Sequence, residues 1–333
     1  MLINTPSRLH VTLIDLNGRY GRIDGGVGIT TKDPRLILEA EDGFEDVLIE
    51  FSNPETLSKD TADDYQDKIL QATRKINEYL GVEGGYHFKV KEVFPSHSGL
   101  GSGTQLSLAV AKLILEMNDR ELPTRQIGEI VGRGGTSGIG VASFKDGGFI
   151  VDGGHNKTIK KDFLPSSASK ASPPPIIARY DFPEDWKIIM AIPHVKRKVF
   201  GEGEVNIFQK YCPIPLGEVQ ELTHLLFMKM MPAVLEEDLD YFGQAIDNIQ
   251  DIGFKKIELK LQNPFIKELM INLKQAGAAG VGMSSFGPTV YAVTDTNSKE
   301  IIKAARESMQ GKKGEIIITT AQNHGAEIFN NET

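Results

Sequence analysis

The chain has 333 residues, of which 40% are apolar, and carries a formal charge of −8 with acidic and basic residues interspersed. This length and composition predict two globular domains, and the mixed acidic charge excludes a nucleic acid or a membrane surface as the expected partner. The single cysteine excludes an intramolecular disulfide and a multi-cysteine metal site, and without an export signal or an apolar run of about 18 residues a cytoplasmic protein is expected.

The first part of the chain predicts strands, then a helix, then a strand leading into a second helix. Apolar and polar residues alternate on both sides of Gly25-Gly26, which predicts antiparallel strands. Apolar residues at helical spacing predict a helix over 61–80 that ends at Gly81. Residues 87–93 alternate again, and a glycine-rich loop over 95–103 then opens into an apolar run over 106–117.

The clearest break in composition lies at residues 165–175, which are rich in proline and serine. It predicts a loop between an N-terminal domain, residues 1–175, and a C-terminal domain, residues 176–333. Strands and helices follow one another in an irregular order, which predicts an α+β fold rather than a doubly wound sheet. The later predicted elements are a strand over 186–192, helices over 217–230 and 235–249, a glycine-rich turn over 280–287 and a strand over 289–293.

The glycine-rich loop has the composition of a phosphate site. Small residues stand where a backbone must approach a ligand, directly before a helix whose N-terminal N–H groups carry partial positive charge. On spacing alone, a tight connection whose glycines serve only turn geometry is an equal alternative. The spacing excludes a Walker P-loop and a dinucleotide fingerprint. The residues predicted to bind phosphate or pyrophosphate are Ser98, Gly99, Leu100, Gly101, Ser102, Gly103 and Thr104.

Three segments resemble, in chain order, the three motifs of the GHMP kinases. They are TPSRLH at 5–10, PSHSGLGSG at 95–103 and GVGMSSFGPTV at 280–290. The resemblance covers nearly the whole chain. It implies a two-domain GHMP-kinase-like fold, with an N-terminal α/β domain like a ribosomal-protein fold, a C-terminal α/β sandwich and a ligand cleft between them.

Two departures from those motifs argue against phosphoryl transfer. In mevalonate-kinase-like members, a Mg²⁺-binding glutamate lies eleven positions before the catalytic aspartate of an S-G-x-D segment. Here the glutamate is kept as Glu129, and Gly140 replaces the aspartate. Gly103 likewise replaces a serine that binds metal in those kinases. Because a kinase needs a metal and usually a base, these changes favour another reaction, although some members work without the aspartate.

A denser local resemblance is to the β-ribofuranosylaminobenzene 5′-phosphate synthases, GHMP-fold enzymes of methanopterin biosynthesis. The resemblance implies condensation of 4-aminobenzoate, or a close 4-substituted benzoate, with phosphoribosyl pyrophosphate and release of CO₂ and pyrophosphate. It implies Mg²⁺ and no organic cofactor. The segments that carry it are IDLNGRYGRIDGGVG at 14–28, RGGTSGIG at 133–140, GGFIVDGGH at 147–155 and GEGE at 201–204.

This chemistry assigns roles to polar residues within the matched segments. Fixed dipoles and a metal must stabilise the departing pyrophosphate, and guanidinium groups can pair with phosphate or carboxylate. The predicted metal ligands are Glu129 and Thr104. The predicted catalytic residues are Arg19, Arg133, Asp24, Asp152 and His155. The predicted substrate-binding residues are Arg8, His10, Arg22, Thr136, Ser137, Arg197, Glu202, Ser284 and Ser285.

Plainer interpretations of these residues stay open. Aspartates beside glycine turns commonly only cap the turn, and the basic run around Arg197 is typical of a solvated face. An ATP-dependent small-molecule kinase and a catalytically silent binding protein are the alternative functions. The apolar stretch 225–231 can belong to a core or to a homodimer interface, with the core as the default.

Overall fold

A computed structural model of the chain describes residues 1–95, 97–166, 168–195 and 202–330, and within them it leaves out the side chains of Thr56, Glu202 and Glu204. In that described part the strands are β1 (Leu2–Asp15), β2 (Arg22–Phe44), β3 (Leu48–Phe51), β4 (Gly85–Glu92), β5 (Phe149–Asp152), β6 (His155–Asn156), β7 (Ile176–Tyr180), β8 (Lys187–Pro193), β9 (Gly280–Met283), β10 (Val290–Thr294), β11 (Gly314–Thr320) and β12 (Glu327–Phe329). The α-helices are α1 (Lys59–Leu80), α2 (Ser102–Met117), α3 (Thr124–Val131), α4 (Ile139–Lys145), α5 (Glu202–Tyr211), α6 (Leu216–Leu225), α7 (Met231–Leu235), α8 (Leu239–Ile249), α9 (Gly253–Leu261), α10 (Pro264–Gln275) and α11 (Ser298–Ser308), with a 3₁₀ turn at Pro54–Thr56 and a π turn at Leu226–Met230.

The first sheet is built on the predicted hairpin of β1 and β2. Strand β2 has 23 residues, long enough to pair with β1, with β5 near the hairpin and with β4 further along. Strand β7 extends this sheet from β5, and β12 returns to pair with β1. The first sheet therefore takes strands from beyond residue 175, where the sequence predicts the domain boundary, and that boundary stays a prediction.

Helices α1 and α2 pack on this sheet for reasons visible in the sequence. Helix α1 begins after Ser58, whose hydroxyl accepts the amide of Thr61, and ends at Gly81 with a φ of 67°. Its buried residues recur every three or four positions, which confirms the predicted amphipathic helix. Helix α2 is apolar on most sides because it lies between α1 and the sheet, and its buried side chains join the main core.

The second sheet has the antiparallel order β11-β8-β10-β9 and is covered by α8, α10 and α11. The main cluster of buried apolar side chains continues into it, as shown by Phe242, whose ring lies 6.4 Å from Phe149 of the first sheet and 5.2 Å from Trp186 before β8. The two sheets with irregularly ordered helices confirm the predicted α+β class. In the described residues, no helix is long and apolar enough to cross a bilayer.

Three predicted elements differ from the structure. The helix predicted over 217–230 is α6 followed by the π turn. The helix predicted over 235–249 begins only at Leu239, because the Asp238 side chain accepts the amide of Tyr241 and caps the helix there. The glycine-rich turn predicted over 280–287 is wrong in its first half, since Gly280–Met283 forms β9.

Candidate active site

The predicted phosphate loop enters α2 with two backbone amides available. Gly99 and Gly101 adopt φ values of 86° and 88°. A Cβ on Gly99 would lie 2.4 Å from the carbonyl oxygen of Ser284, so only glycine fits. Gly101 is the N-cap of α2 and offers no side-chain hydrogen bond. Among the described residues the amides of Ser102 and Gly103 have no partner, and they are placed to bind an anion.

The three matched motifs meet around this loop. The amide of Arg8 donates to the Leu100 carbonyl at 3.1 Å, and the Arg8 guanidinium donates to the Gly99 carbonyl. The Ser284 hydroxyl donates to the same Gly99 oxygen at 2.7 Å and accepts the amide of His10 at 2.9 Å. Strand β1, the phosphate loop and the turn after β9 are therefore held in one arrangement.

Gly140, which replaces the kinase aspartate, faces the first turn of α2. A Cβ at this position would lie 3.1 Å from Cγ2 of Thr104. The Gly140 carbonyl accepts a hydrogen bond from the Gln105 amide group at 2.9 Å, which fixes the two helices against each other. A larger residue at 140 would press on Thr104, so this packing suits glycine and leaves no carboxylate at that point.

A cavity of about 180 Å³, here called the phosphate-loop cavity, lies beside Thr104 in the first turn of α2 and reaches Glu258 and Phe286 of the C-terminal half. Its apolar wall includes Leu13, Phe208 and Phe286. Its polar wall brings together predicted site residues from four separate segments of the chain. These are Arg8, His10, Thr104, Thr136, Ser137 and Ser285.

Burial sets the charge of the β1 side of this cavity. It lowers the pKa of Arg8 to about 10, so the guanidinium stays positive at neutral pH. Burial, together with the charges of Arg8 and Lys255, holds the pKa of His10 well below its usual range, so the imidazole is neutral. Arg8 Nε and His10 Nδ1 have no hydrogen-bond partner in the described part of the chain, and both residues line the cavity.

A buried ion pair on α9 supports the other side of the cavity. Lys255 contacts Glu258 and donates to the carbonyls of Met283 and Ser285, both at 3.1 Å. Burial lowers the pKa of Lys255 and raises that of Glu258. The pair thereby fixes the turn that carries Ser284. In the sequence this pair is only a Lys and a Glu three residues apart on a helix. Such a pattern is typical of a solvated helix face, so the pair was not predicted to be buried.

A second polar cluster surrounds Asp24 at the β1–β2 turn. Oδ2 of Asp24 lies 2.7 Å from Nδ1 of His155 and 2.8 Å from Nζ of Lys160. Lys160, which the sequence pattern did not reveal, also donates to the Gly135 carbonyl at 2.9 Å. Asp24 is 1% exposed, and its Oδ1 has no hydrogen-bond partner among the described residues.

Asp152 links this cluster to the phosphate-loop cavity. Its Oδ2 accepts the Ser137 hydroxyl and the Gly138 amide at 2.9 Å each, and its Oδ1 accepts the Gly154 amide at 2.9 Å. Burial raises the pKa of Asp152 to about 6, and the charge of Asp24 adds to the effect. The carboxyl group thus has a proton affinity suited to exchange near neutral pH.

A larger cavity of about 690 Å³ lies beside the β1–β2 turn, and we call it the hairpin cavity. Asp24, Asp152 and Arg22 are among its lining residues, and its opposite wall comes from α6 and the π turn. Arg22 Nε and Nη2 donate to the carbonyls of Gly153 and Gly154 at 2.7 and 2.6 Å. The guanidinium is therefore fixed at the cavity edge.

The chain is similar to known proteins over nearly its whole length. The family described as GHMP kinases N terminal domain matches residues 67–148, and the family described as GHMP kinases C terminal matches residues 230–311. The β-ribofuranosylphenol 5′-phosphate synthase of Methanothermobacter thermautotrophicus is 54% identical over 98% of both chains. The protein of that name from Methanocaldococcus jannaschii is 47% identical over 99% of this chain and 100% of that one. The chain belongs to this synthase family.

Membership in the synthase family confirms the predicted resemblance and the GHMP-type fold. The solved structure of L. major mevalonate kinase covers 97% of this chain and 96% of its own, with a TM-score of 0.71 at 13% identity. At that identity the likeness concerns the fold alone. This chain therefore shares its architecture with a kinase, while its Gly140 and Gly103 differ from the kinase motifs.

Two cationic side chains flank the phosphate loop in this member of the synthase family. A Cβ on Gly103 would lie 3.3 Å from Nζ of Lys68 and 3.5 Å from Nη1 of Arg133. Arg133 Nε donates to the Ser107 hydroxyl at 3.2 Å, and Lys68 pairs with Asp64 on α1. Burial lowers the pKa of both cations. Lys68 was missed because a charged residue four positions from an opposite charge is typical of an exposed helix face.

The predicted magnesium ligands are not brought together as a carboxylate site. Thr104 lines the phosphate-loop cavity, whereas Glu129 lies on an exposed face of α3. The described residues contain no group of three or more His, Cys, Asp or Glu side chains placed to hold a metal ion. These donors do not fit a Mg²⁺ held by protein groups alone, and the metal stays a prediction.

The remaining predicted residues lie in different settings. Arg19 is exposed on the turn between β1 and β2. Ser98 is buried, and its hydroxyl donates to the Pro95 carbonyl at 2.6 Å. Arg197 and the side chain of Glu202 lie outside the described residues. Their predicted roles stay predictions.

Proposed function

We propose that the protein condenses phosphoribosyl pyrophosphate with 4-hydroxybenzoate and releases CO₂ and pyrophosphate, giving a phenol C-riboside 5′-phosphate. The phosphate loop carries the proposal. The amides of Ser102 and Gly103 suit a polyphosphate, while residue 140 supplies no carboxylate to accept a proton during phosphoryl transfer. The names of the relatives supply the class of product.

The names of these relatives favour the hydroxy member of the predicted 4-substituted benzoates. Replacing the carboxylate of 4-hydroxybenzoate by a ribosyl group leaves a phenol, whereas 4-aminobenzoate leaves an aminobenzene. The relatives are named for a ribofuranosylphenol product. We therefore place 4-hydroxybenzoate first and 4-aminobenzoate second as the acceptor.

The proposed reaction breaks one carbon–oxygen bond and exchanges two bonds at a ring carbon. The bond between ribose C1 and pyrophosphate breaks, and pyrophosphate leaves with the electron pair. The ring carbon that bears the carboxylate attacks C1, and the electrons of the carbon–carboxylate bond return to the ring as CO₂ departs. The phenol proton stays on the product, so no net proton acceptor is required.

The chain's own residues divide these tasks. The first-turn amides of α2, with Arg133 and Lys68 beside them, stabilise the negative charge of the leaving pyrophosphate. Arg8 adds a positive charge. Because the guanidinium is buried, water screens its interaction with an anion only weakly. Asp152 is hydrogen-bonded to Ser137 of the phosphate-loop cavity, and its carboxylate suits the positive charge that develops at the ribose.

The deciding experiment incubates the protein with phosphoribosyl pyrophosphate, Mg²⁺ and 4-hydroxybenzoate labelled with ¹⁴C in the carboxylate. We expect release of labelled CO₂ in equal amount to pyrophosphate, and no consumption of ATP with any of the benzoates. Absence of CO₂ release from both benzoates, or steady ATP turnover with a small-molecule acceptor, would contradict the proposal.

A variant of the phosphate loop tests the observation behind the proposal. Ser102→Asp places a negative charge at a helix N-terminus, which suits the helix but repels pyrophosphate. We expect KM for phosphoribosyl pyrophosphate to rise at least about tenfold, whereas Ser102→Ala should stay within about twofold. Equal KM values for the two variants would show that the donor's pyrophosphate binds elsewhere.

A further inference from the structure

The hairpin cavity has the size and lining of a small-molecule site. Its volume of about 690 Å³ lies within the usual range of about 300–1,000 Å³ for ligand pockets. Ile14, Ile177, Val219 and Phe227 contribute apolar wall. Phe227 is 64% exposed and Ile177 is 65% exposed, so a large part of this apolar surface stays in water unless something covers it.

Two polar groups stand at the hairpin end of this cavity, and each keeps unused hydrogen-bonding capacity among the described residues. Arg22 uses Nε and Nη2 for backbone carbonyls, which leaves Nη1 for an anion. Asp24 uses Oδ2 for His155 and Lys160, while Oδ1 is buried without a partner. An unpaired buried carboxylate oxygen costs about 1–3 kcal/mol, and a ligand hydroxyl would remove that cost.

The cavity is lined by the segments that carry the synthase resemblance. Its hairpin side comes from residues 14–25 and its floor from residues 152–153. The phosphate-loop cavity is lined by residues of the general kinase motifs, such as Arg8 and Ser285, and also by the synthase segment 133–140. A synthase differs from a kinase of the same fold in needing an aromatic acceptor, so the segments peculiar to the synthase are the expected place for it.

The two cavities share a thin wall. Ser137 lines the phosphate-loop cavity, Asp152 lines the hairpin cavity, and the two side chains are hydrogen-bonded at 2.9 Å. Gly26 completes the wall, where a Cβ would lie only 2.4 Å from the Ser137 hydroxyl oxygen. The two cavities are therefore close neighbours.

We propose that the hairpin cavity binds the aromatic acid acceptor, a class of ligand that presents one carboxylate and one ring hydroxyl. The ring packs on the apolar wall, the carboxylate pairs with Arg22, and the hydroxyl donates to Oδ1 of Asp24. A phenol held by a carboxylate is richer in electrons, which favours attack by the ring carbon. This inference rests on the proposed function.

The test places a large side chain in the hairpin cavity from helix α6. Thr223 lies on α6, is exposed and lines the cavity, so Thr223→Trp should fold normally while it occupies part of the acceptor volume. We expect KM for 4-hydroxybenzoate to rise at least about tenfold and KM for phosphoribosyl pyrophosphate to stay within about twofold. Glu221→Trp, on the other side of the same helix, is the matched control and should change neither. An unchanged acceptor KM in Thr223→Trp overturns the inference.

A binding measurement separates this inference from the proposed reaction. Equilibrium dialysis with ¹⁴C-labelled 4-hydroxybenzoate should show binding to the wild type and to Glu221→Trp and a loss of at least about tenfold in Thr223→Trp. That pattern supports the site even if no turnover is found. Absence of binding to the wild type, in the presence and absence of phosphoribosyl pyrophosphate, overturns it. Conversion of a wild-type dimer to monomer by Thr223→Trp, with both KM values raised, also overturns it and assigns the cavity to a second copy of the chain.

Discussion

Asp152 shows how burial changes the chemistry of one residue. Three hydrogen bonds favour its ionised form, yet full burial outweighs them and raises its pKa from the ordinary value of 3.8 to about 6. Nothing in the sequence around Val151-Asp152-Gly153 reports that burial, because it arises from β2 and from the loop at Ser137 packing on both sides. The sequence predicted a functional aspartate there but not its protonation.

This raised pKa makes stability depend on pH in a defined direction. Between about pH 4 and 6 the folded state holds a proton on Asp152 that the unfolded state has lost, so the free energy of unfolding falls as the pH rises. The full effect is about 3 kcal/mol and is present at pH 7. Urea denaturation of wild type and Asp152→Asn should therefore show a difference in unfolding free energy that shifts by this amount between pH 4 and 7.

The Asn variant serves as the control because it cannot titrate. If the wild type and Asp152→Asn follow parallel stability curves from pH 4 to 7, Asp152 keeps an ordinary pKa in the folded protein.

Lys160 and Lys255 show why some site residues escape sequence reasoning. Lysines are rarely buried, so a lysine is interpreted as a surface residue unless its partners are known. Lys160 is 5% exposed because Asp24 and the Gly135 carbonyl, distant in sequence, converge on its ammonium group. Such convergence is a property of the tertiary fold.

At the scale of elements, helices α1 and α2 together form the surroundings of the phosphate loop. Lys68 on α1 approaches Gly103 in the first turn of α2. We expect Lys68→Met to raise KM for phosphoribosyl pyrophosphate about tenfold, since one charge near the leaving pyrophosphate is lost and Asp64 is left without its ion pair to Lys68. Steady-state kinetics with each substrate varied in turn measures this.

Lys112→Met is a close control for that variant. Lys112 is also half-buried and pairs with Glu116 four residues away, but it lies further along α2. Its replacement should leave both KM values within about twofold. A similar rise in the two variants, or a rise for the acceptor alone, would assign Lys68 a purely structural role.

Helices and strands could be predicted from the sequence where the residues that determine them lie within the element itself. Helix α1 has a capping serine, a regular apolar face and a terminal glycine, and its predicted span of 61–80 agrees with Lys59–Leu80. Strand β9 was not predictable because its glycines were interpreted as a turn. In the fold Gly280 packs against Gly243 of α8, where a Cβ would lie 2.6 Å from the Gly243 Cα, so close packing requires the glycine.

At the scale of the whole molecule, Ser284 connects the beginning and the end of the chain through the phosphate loop. Ser284→Ala removes one oxygen that serves the His10 amide and the Gly99 carbonyl. We expect a loss of about 1–3 kcal/mol in the free energy of unfolding, because the buried His10 amide loses this partner and the Gly99 carbonyl keeps only the Arg8 guanidinium of its two side-chain donors. Chemical denaturation followed by fluorescence measures this.

Ser285→Ala tests whether that loss is specific. Ser285 follows directly but its hydroxyl makes no hydrogen bond within the described residues, so its replacement should cost less than about 0.5 kcal/mol. Equal losses in both variants would mean that the turn, and not the Ser284 hydroxyl, carries the connection.

The resemblance to the GHMP kinases implied a ligand cleft between two domains, and the three matched motifs meet around Gly99. The sequence could not predict two cavities on either side of Gly26. That arrangement depends on how α6 and the turn at Leu226–Met230 lie over the hairpin, which is decided by packing between segments some 200 positions apart.

The π turn at Leu226–Met230 also has a consequence for how this family can diverge. Such a turn holds one residue more than a regular helical turn, and each residue of an α-helix turns by about 100°. Deleting a single residue there would turn the residues before it by about 100° relative to those after it, so Thr223 and Met228 would no longer face the hairpin cavity together. Changes of length, and not only of side chain, are therefore a short evolutionary route to a different preference for aromatic rings.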